Sequence, residues 1–259
     1  MAGQTISLFR YLLLGAISRR LVALIMIVLV LATLAAGFIA ELAIINSDRI
    51  GAALLGDLLR YSLVLLLLLL VTGNVAEDFQ ANQFDRLLAL PLSRWQYIIA
   101  QLMVIITIAS TFSLSVLAIV AWFTALELAA YWAVALWLEL ILTGLIGLLG
   151  IVSLEKAPQA VFFSIAIYLL ARFSGVISQM LSESVVLTDG SLSNRLAEWI
   201  FHGVLYVMPS SRAFAQNNMF FEPGLPSELL SGQLLTVTVY SIFLVAACLV
   251  DFYRKEFNH

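Results

Sequence analysis

The sequence predicts an all-α integral membrane protein with six transmembrane helices. Hydrophobic residues make up 63% of its 259 residues and charged residues only 11%, whereas a soluble domain has roughly 25% charged residues. The apolar residues fall into long blocks of the length that a helix needs to cross a bilayer. These blocks are unbroken, which favours helices over the alternating strands of a barrel. No long polar section separates them, so residues 1–259 are predicted to form a single transmembrane domain.

Six apolar blocks are predicted to cross the membrane. They cover residues 21–45, 59–76, 97–126, 128–154, 158–181 and 229–250. Before the first block, Leu8, Tyr11, Leu12 and Gly15 fall on one helical side with arginines near both ends, which predicts a short N-terminal helix lying in the membrane interface. The long outer segment 182–233 is predicted to contain short outer helices before span six, because its apolar run 196–209 is too short to span.

The positions of Lys and Arg predict that both termini are cytoplasmic. In this orientation eight basic residues lie inside and four outside, with Arg172 in the membrane. The inner set is Arg10, Arg19, Arg20, Arg86, Arg94, Lys156, Arg254 and Lys255, and the outer set is Arg49, Arg60, Arg195 and Arg212.

A polar stretch follows the second predicted span, "VAEDFQANQFDRLLALPLSRWQYIIAQL" at 75–102. Its charged residues are Glu77, Asp78, Asp85, Arg86 and Arg94. Phe84, Leu87 and Leu88 have helical spacing, which predicts a short amphipathic helix with Asp78 and Asp85 pointing away from its apolar face. Pro91 ends this helix, because the residue before a proline is pushed out of the α region.

The stretch then returns directly to the membrane. Ser93 and Gln96 have capping-box spacing, so the next helix is predicted to begin near Arg94. Trp95 and Tyr97 suit the headgroup layer at the entry to span three. A solvated loop that obeys the positive-inside rule and a helix that docks onto a soluble partner both fit this pattern.

The segment "FDRLLALPLSRWQYIIAQL" resembles the cytoplasmic segment of type-2 ABC transporter permeases. In that family an acidic residue follows span two, and paired leucines, a proline and an arginine lead into span three. The matching residues are Leu87, Leu88, Pro91, Leu92, Ser93 and Arg94. The family's usual glycine is absent, and Asn82 or Gln83 stands in its place. The likeness in topology extends over the whole chain.

This resemblance implies the membrane subunit of an ABC exporter in a bacterial inner membrane. The family's cytoplasmic segment is a coupling helix that contacts a separate ABC ATPase subunit. The implied contact residues here are Glu77, Asp78, Phe84, Asp85, Arg86 and Arg94. Six spans are half of a translocation unit, so the resemblance also implies a second permease copy or a paired permease, with two ATPase copies. A narrower resemblance is to the B subunit of the haem exporter of cytochrome c maturation, which is usually shorter.

The family does not decide the substrate, because type-2 ABC permeases carry polysaccharides, lipids, drugs and peptides. We expect no cofactor, no metal and no nucleic-acid partner. The lysines, Lys156 and Lys255, do not follow glycines, so the chain has no phosphate-binding loop. Its histidines, His202 and His259, lie outside the predicted spans, so an intramembrane catalytic constellation is also missing. We therefore expect no enzyme activity, and the alternative outside transport is a scaffold or channel subunit.

Glu139 and Arg172 are the unusual charged residues, because they lie far from the ends of the predicted spans four and five. Such residues usually face a partner or a cavity. Counted along spans four and five, their depths agree within roughly 3 Å, which predicts an ion pair between neighbouring helices. A contact of Arg172 with substrate, a dimer-interface contact and snorkelling are the alternatives. Gly144, Gly147 and Gly150 in span four predict either close helix packing or a flexing helix.

Overall fold

The computed structural model describes residues 2–17, 27–35, 37–38, 47–80, 94–122, 124–183, 203 and 226–254. Its elements are helices, and the described ranges contain no strand, which confirms the all-α class. The helices are α1 (Ala2–Ile17), α2 (27–35 and 37–38), α3 (Ser47–Gln80), α4 (Arg94–Val120), α5 (Leu126–Leu154), α6 (Ala157–Glu183) and α7 (Pro226–Arg254).

Five of these helices, α3 to α7, are long and apolar enough to cross a membrane, as expected of a multi-pass membrane protein. Their apolar parts are Ala53–Phe79, Trp95–Val120, Leu126–Leu154, Ala157–Ser174 and Leu230–Arg254. The predicted first span, 21–45, lies partly outside the described residues, and its described part is helical. The count of six spans therefore stays a prediction.

Helix α5 is the centre of the bundle, because it packs against α3, α4, α6 and α7. Most of its apolar residues are buried, including Trp132, which is fully enclosed. By contrast, little of the apolar part of α7 is buried, and Leu235, Ile242 and Phe243 are exposed. An apolar outer surface over buried helices is the arrangement that a bilayer solvates.

The helices at two predicted spans have bounds that differ from those of the spans. The second span was placed at 59–76, but α3 is continuous over 34 residues and its apolar part begins at Ala53. The third was extended to 126, but α4 ends at Val120 and the chain turns before Leu126. This turn is as apolar as the helices around it, so composition does not mark it. Glu127 then lies in the first turn of α5, where a negative charge favours a helix start.

The ends of the described chain also differ from the predicted pattern. Helix α1 packs on α4 through Leu8, Leu12 and Ala16, whereas Tyr11 and Gly15 of the predicted face are exposed. The buried residues are four positions apart, so they form one narrow stripe along α1. The predicted face was wider, because it combined spacings of three and four residues. Pro226 opens α7, so residues 226–233 of the predicted outer segment are helical. Proline suits a first helical position, where its missing N–H is not needed.

The remaining outer-segment predictions fall on 184–225. Within that range the structure describes Gly203 alone, as a helical residue. The predicted outer helix 196–209 otherwise lies outside the described residues.

Candidate functional site

A buried polar cluster lies between α3, α5 and α6. Its centre is Glu139 of α5, whose side chain is 0% exposed. The Tyr168 hydroxyl of α6 donates a 2.7 Å hydrogen bond to Glu139 Oε1. Arg172 lies one turn further along α6, on the same helical side as Tyr168, and is half-buried. The charges of Glu139 and Arg172 both act on Tyr168, so the two residues predicted to pair lie in one neighbourhood. The ion pair itself stays a prediction.

Arg60 also belongs to this cluster, although the sequence pattern only counted it in the outer basic set, at the edge of the predicted span 59–76. Its side chain is 1% exposed within α3, and it forms a salt bridge with Asp57 one turn earlier. The charges of Glu139 and Arg172 both act on Arg60. Its guanidinium also lies 5.3 Å from the centre of the Tyr61 ring.

The sequence pattern gave Arg60 no partner, whereas the structure gives it two acidic neighbours. A buried arginine is tolerated when carboxylates compensate the loss of its hydration, and Asp57 and Glu139 supply them here. The i,i+3 spacing of Asp57 and Arg60 inside "AALLGDLLRYSLVLL" is the signal that could have found this pairing.

Replacing Arg172 with Leu is expected to lower the thermal stability of the purified chain in detergent. Removing one partner of a buried pair costs about 3–5 kcal/mol, and half-burial of Arg172 places the loss below that range. The variant Arg172→Leu/Glu139→Gln should regain part of the lost stability, since it no longer buries an uncompensated carboxylate. An unchanged unfolding temperature in the single variant would count against the pairing.

A second polar cluster holds together the two helix ends that flank the polar stretch. Asp78, near the end of α3, is 7% exposed and accepts a 2.8 Å hydrogen bond from the Tyr97 hydroxyl of α4. Gln101 Nε2 donates to the same hydroxyl oxygen at 3.1 Å. The Tyr97 ring stacks on Phe252 of α7, with ring centres 5.7 Å apart and planes 11° apart. This contact chain joins α3, α4 and α7.

The structure separates the residues that the resemblance implied as ATPase contacts. Asp78 points into the bundle, so the prediction that its side chain points away is wrong, whereas neighbouring Glu77 is exposed. Arg94 opens α4, and its side chain lies outside the described part of the chain. Phe84, Asp85 and Arg86 lie outside the described residues altogether. The sequence pattern gave no role to the hydroxyl of Tyr97, because its acceptor Asp78 lies 19 residues away in the sequence.

No protein-family model matches the chain, and no curated protein matches it. Within the described ranges, no three His, Cys, Asp or Glu side chains come together in a way that could hold a metal ion. The two polar clusters described above are therefore the candidate functional features. The cluster around Glu139 is enclosed between membrane-length helices. The cluster of Asp78 and Tyr97 lies where α3 ends and α4 begins.

Proposed function

We propose that the chain is the transmembrane permease subunit of an ABC exporter, which uses ATP hydrolysed by a separate ATPase subunit. The observation that supports this is the position of the motif "FDRLLALPLSR". It lies between α3 and α4, two helices long enough to cross a membrane, whose adjoining ends are tied by Tyr97 and Asp78. A docking site outside the bundle must be joined to helices whose ends are held together, because the force from a bound partner is transmitted through ordered structure.

The proposed cycle is the one that the resemblance to type-2 ABC permeases implies, and the length of α3 is compatible with it. ATP binding draws two ATPase copies together, and they press on the polar stretches of two permease copies. Helix α3 has 34 residues and is therefore about 50 Å long. A displacement at its Asp78 end reaches Arg60 and the cluster around Glu139 through one continuous helix. The haem-exporter subunit is a narrower form of the same proposal, and the substrate class stays open within it.

Affinity purification from the native membrane in mild detergent tests this proposal. We expect mass spectrometry to find a stoichiometric ATPase and the eluate to hydrolyse ATP. The charge-reversal variant Asp85→Arg/Arg86→Asp should lose this companion and keep the unfolding temperature of the wild type, because the proposal gives both residues a role in the contact with the partner.

The matched control is the swap Glu155→Lys/Lys156→Glu. These residues are exposed in the turn between α5 and α6, which the topology predicts to be cytoplasmic as well. The control should retain the ATPase. A wild-type chain that elutes without any nucleotide-hydrolysing companion would overturn the exporter proposal and favour a scaffold or channel subunit.

A further inference from the structure

Polar and aromatic contacts link four helix ends on the side of the bundle that carries the polar stretch. Asp78 of α3 bonds to Tyr97 of α4, and the ring of Tyr97 stacks on Phe252 of α7. Next to Phe252, Asp251 accepts a 2.6 Å hydrogen bond from the Ser153 hydroxyl of α5. The chain of contacts therefore runs from α3 through α4 and α7 to the central helix.

Tyr97 is the residue at which this chain branches. Its hydroxyl takes part in two hydrogen bonds, donating to Asp78 and accepting from Gln101, while its ring face packs on Phe252. Tyr97 and Phe252 are both buried, at 6% and 1% exposure, so water does not compete for these contacts. A buried aromatic ring with a satisfied hydroxyl joins apolar packing to a directional bond.

The position of these contacts relative to the polar stretch is the basis of the inference. Asp78 lies two residues before the end of α3, and Tyr97 lies three residues after the start of α4. They are 19 residues apart in sequence and bridge the two helix ends that flank the stretch. These two ends are where the chain joins residues 81–93 to the described helices.

We propose that Tyr97 is a positioning residue that makes the ends of α3, α4 and α7 one mechanical unit. Its hydroxyl fixes α3 to α4, and its ring carries their displacement to α7. The use of this unit in transport rests on the proposed function, whereas its existence is a property of the chain alone. Helix α7 packs on α5, so a displacement of the unit reaches the centre of the bundle.

A spin-label distance between α3 and α7 tests the proposal on the full chain. Labels are attached at Leu69→Cys of α3 and Val250→Cys of α7, two exposed positions, in a Cys248→Ala background. With Tyr97 present we expect one narrow distance distribution. Tyr97→Phe, which keeps the ring and removes the hydroxyl, should broaden it, and Phe252→Ala should broaden it as well.

Two variants separate this role from a general loss of stability. Ser113→Ala removes a buried 2.7 Å hydrogen bond from α4 to the Ala133 carbonyl of α5, away from Tyr97, and should leave the distance distribution narrow. Asp78→Asn keeps an oxygen that accepts the Tyr97 hydroxyl and should also keep it narrow. Equal distributions in Tyr97→Phe and Ser113→Ala would overturn the proposal.

The same distance, measured in the complex with the copurified ATPase, distinguishes the exporter proposal from the positioning role of Tyr97. We expect ATP to shift the distance in the wild-type complex and the shift to be lost in Tyr97→Phe while ATP hydrolysis continues. An ATP-induced shift of the same size in Tyr97→Phe would overturn the positioning role. If no ATPase accompanies the wild-type chain, the exporter proposal fails, and the distance comparison on the chain alone still decides whether Tyr97 joins the three helix ends.

Discussion

Replacing Glu139 with Ala is expected to lower the free energy of unfolding by about 3–5 kcal/mol, because the change leaves buried positive charge without its carboxylate. Glu139 is fully enclosed and accepts the Tyr168 hydroxyl, and its charge acts on Arg60, itself buried in α3. The loss of the carboxylate therefore affects contacts to α3 and α6 together. Thermal unfolding in detergent measures the effect.

The conservative variant Glu139→Gln separates charge from hydrogen bonding. Its amide oxygen still accepts the Tyr168 hydroxyl, so it should be more stable than Glu139→Ala and less stable than the wild type. A double-mutant cycle with Arg60→Met then isolates the charge interaction, since methionine is apolar and leaves no buried cation. We expect the double variant Glu139→Gln/Arg60→Met to be more stable than the sum of the single losses predicts. Strict additivity would show that Glu139 and Arg60 do not interact.

The sequence predicted part of this cluster for a clear physical reason. Glu139 and Arg172 interrupt otherwise apolar runs, and an ionisable residue at membrane depth usually has a partner. Arg60 was missed because it lies at the edge of the predicted span 59–76, where an arginine side chain can also reach water. In the structure α3 begins 12 residues before that span, so Arg60 lies well inside the helix. Tyr168 was missed because a tyrosine in a span is common and its partner lies on another helix.

The contact between the end of α3 and the start of α4 shows a second limit of sequence patterns. The helix start at Arg94 was predicted from capping-box spacing and lies where α4 begins. Asp78, in contrast, was assigned to a separate amphipathic helix and to the outward side. In the structure it belongs to α3, and its direction is fixed by the register of α3 against α4. Hydrophobic spacing within one segment cannot give that register, because it depends on contacts between helices.

Replacing Gly144 with Ala is the second large expected effect, a loss of about 1–3 kcal/mol of stability from overpacking. A Cβ atom at this position would lie 2.6 Å from Ile105 Cγ2 of α4 and 3.4 Å from Leu67 Cδ2 of α3. Ile105 is fully buried and branched at Cβ, so its methyl group cannot move without a change of the restricted χ1 angle. The clash should exceed the gain in helix propensity, which is roughly 1 kcal/mol for glycine to alanine.

Two other helical glycines provide matched comparisons for Gly144→Ala. At Gly147 the nearest atom is Leu68 Cδ2 at 2.9 Å, the end of a flexible side chain, so Gly147→Ala should cost less. At Gly232 of α7 nothing lies within 4 Å, so Gly232→Ala should be neutral or stabilising. Thermal unfolding of the three variants under one condition should therefore rank Gly144→Ala lowest and Gly232→Ala highest.

This ranking also decides between the two roles that the sequence left open for the glycines of α5. If close packing is their role, Ile105→Ala should partly suppress Gly144→Ala, because removing Ile105 Cγ2 frees the space that the new methyl group needs. The double variant should then be more stable than the sum of the single losses, although Ile105→Ala alone costs about 2–5 kcal/mol. If flexing of α5 were the role, Gly144→Ala should raise stability as Gly232→Ala does, because alanine stiffens a helix without any clash. A Cβ atom added at Gly144 would lie 2.6 Å from Ile105 Cγ2, which favours close packing. We therefore expect Ile105→Ala to suppress part of the effect of Gly144→Ala.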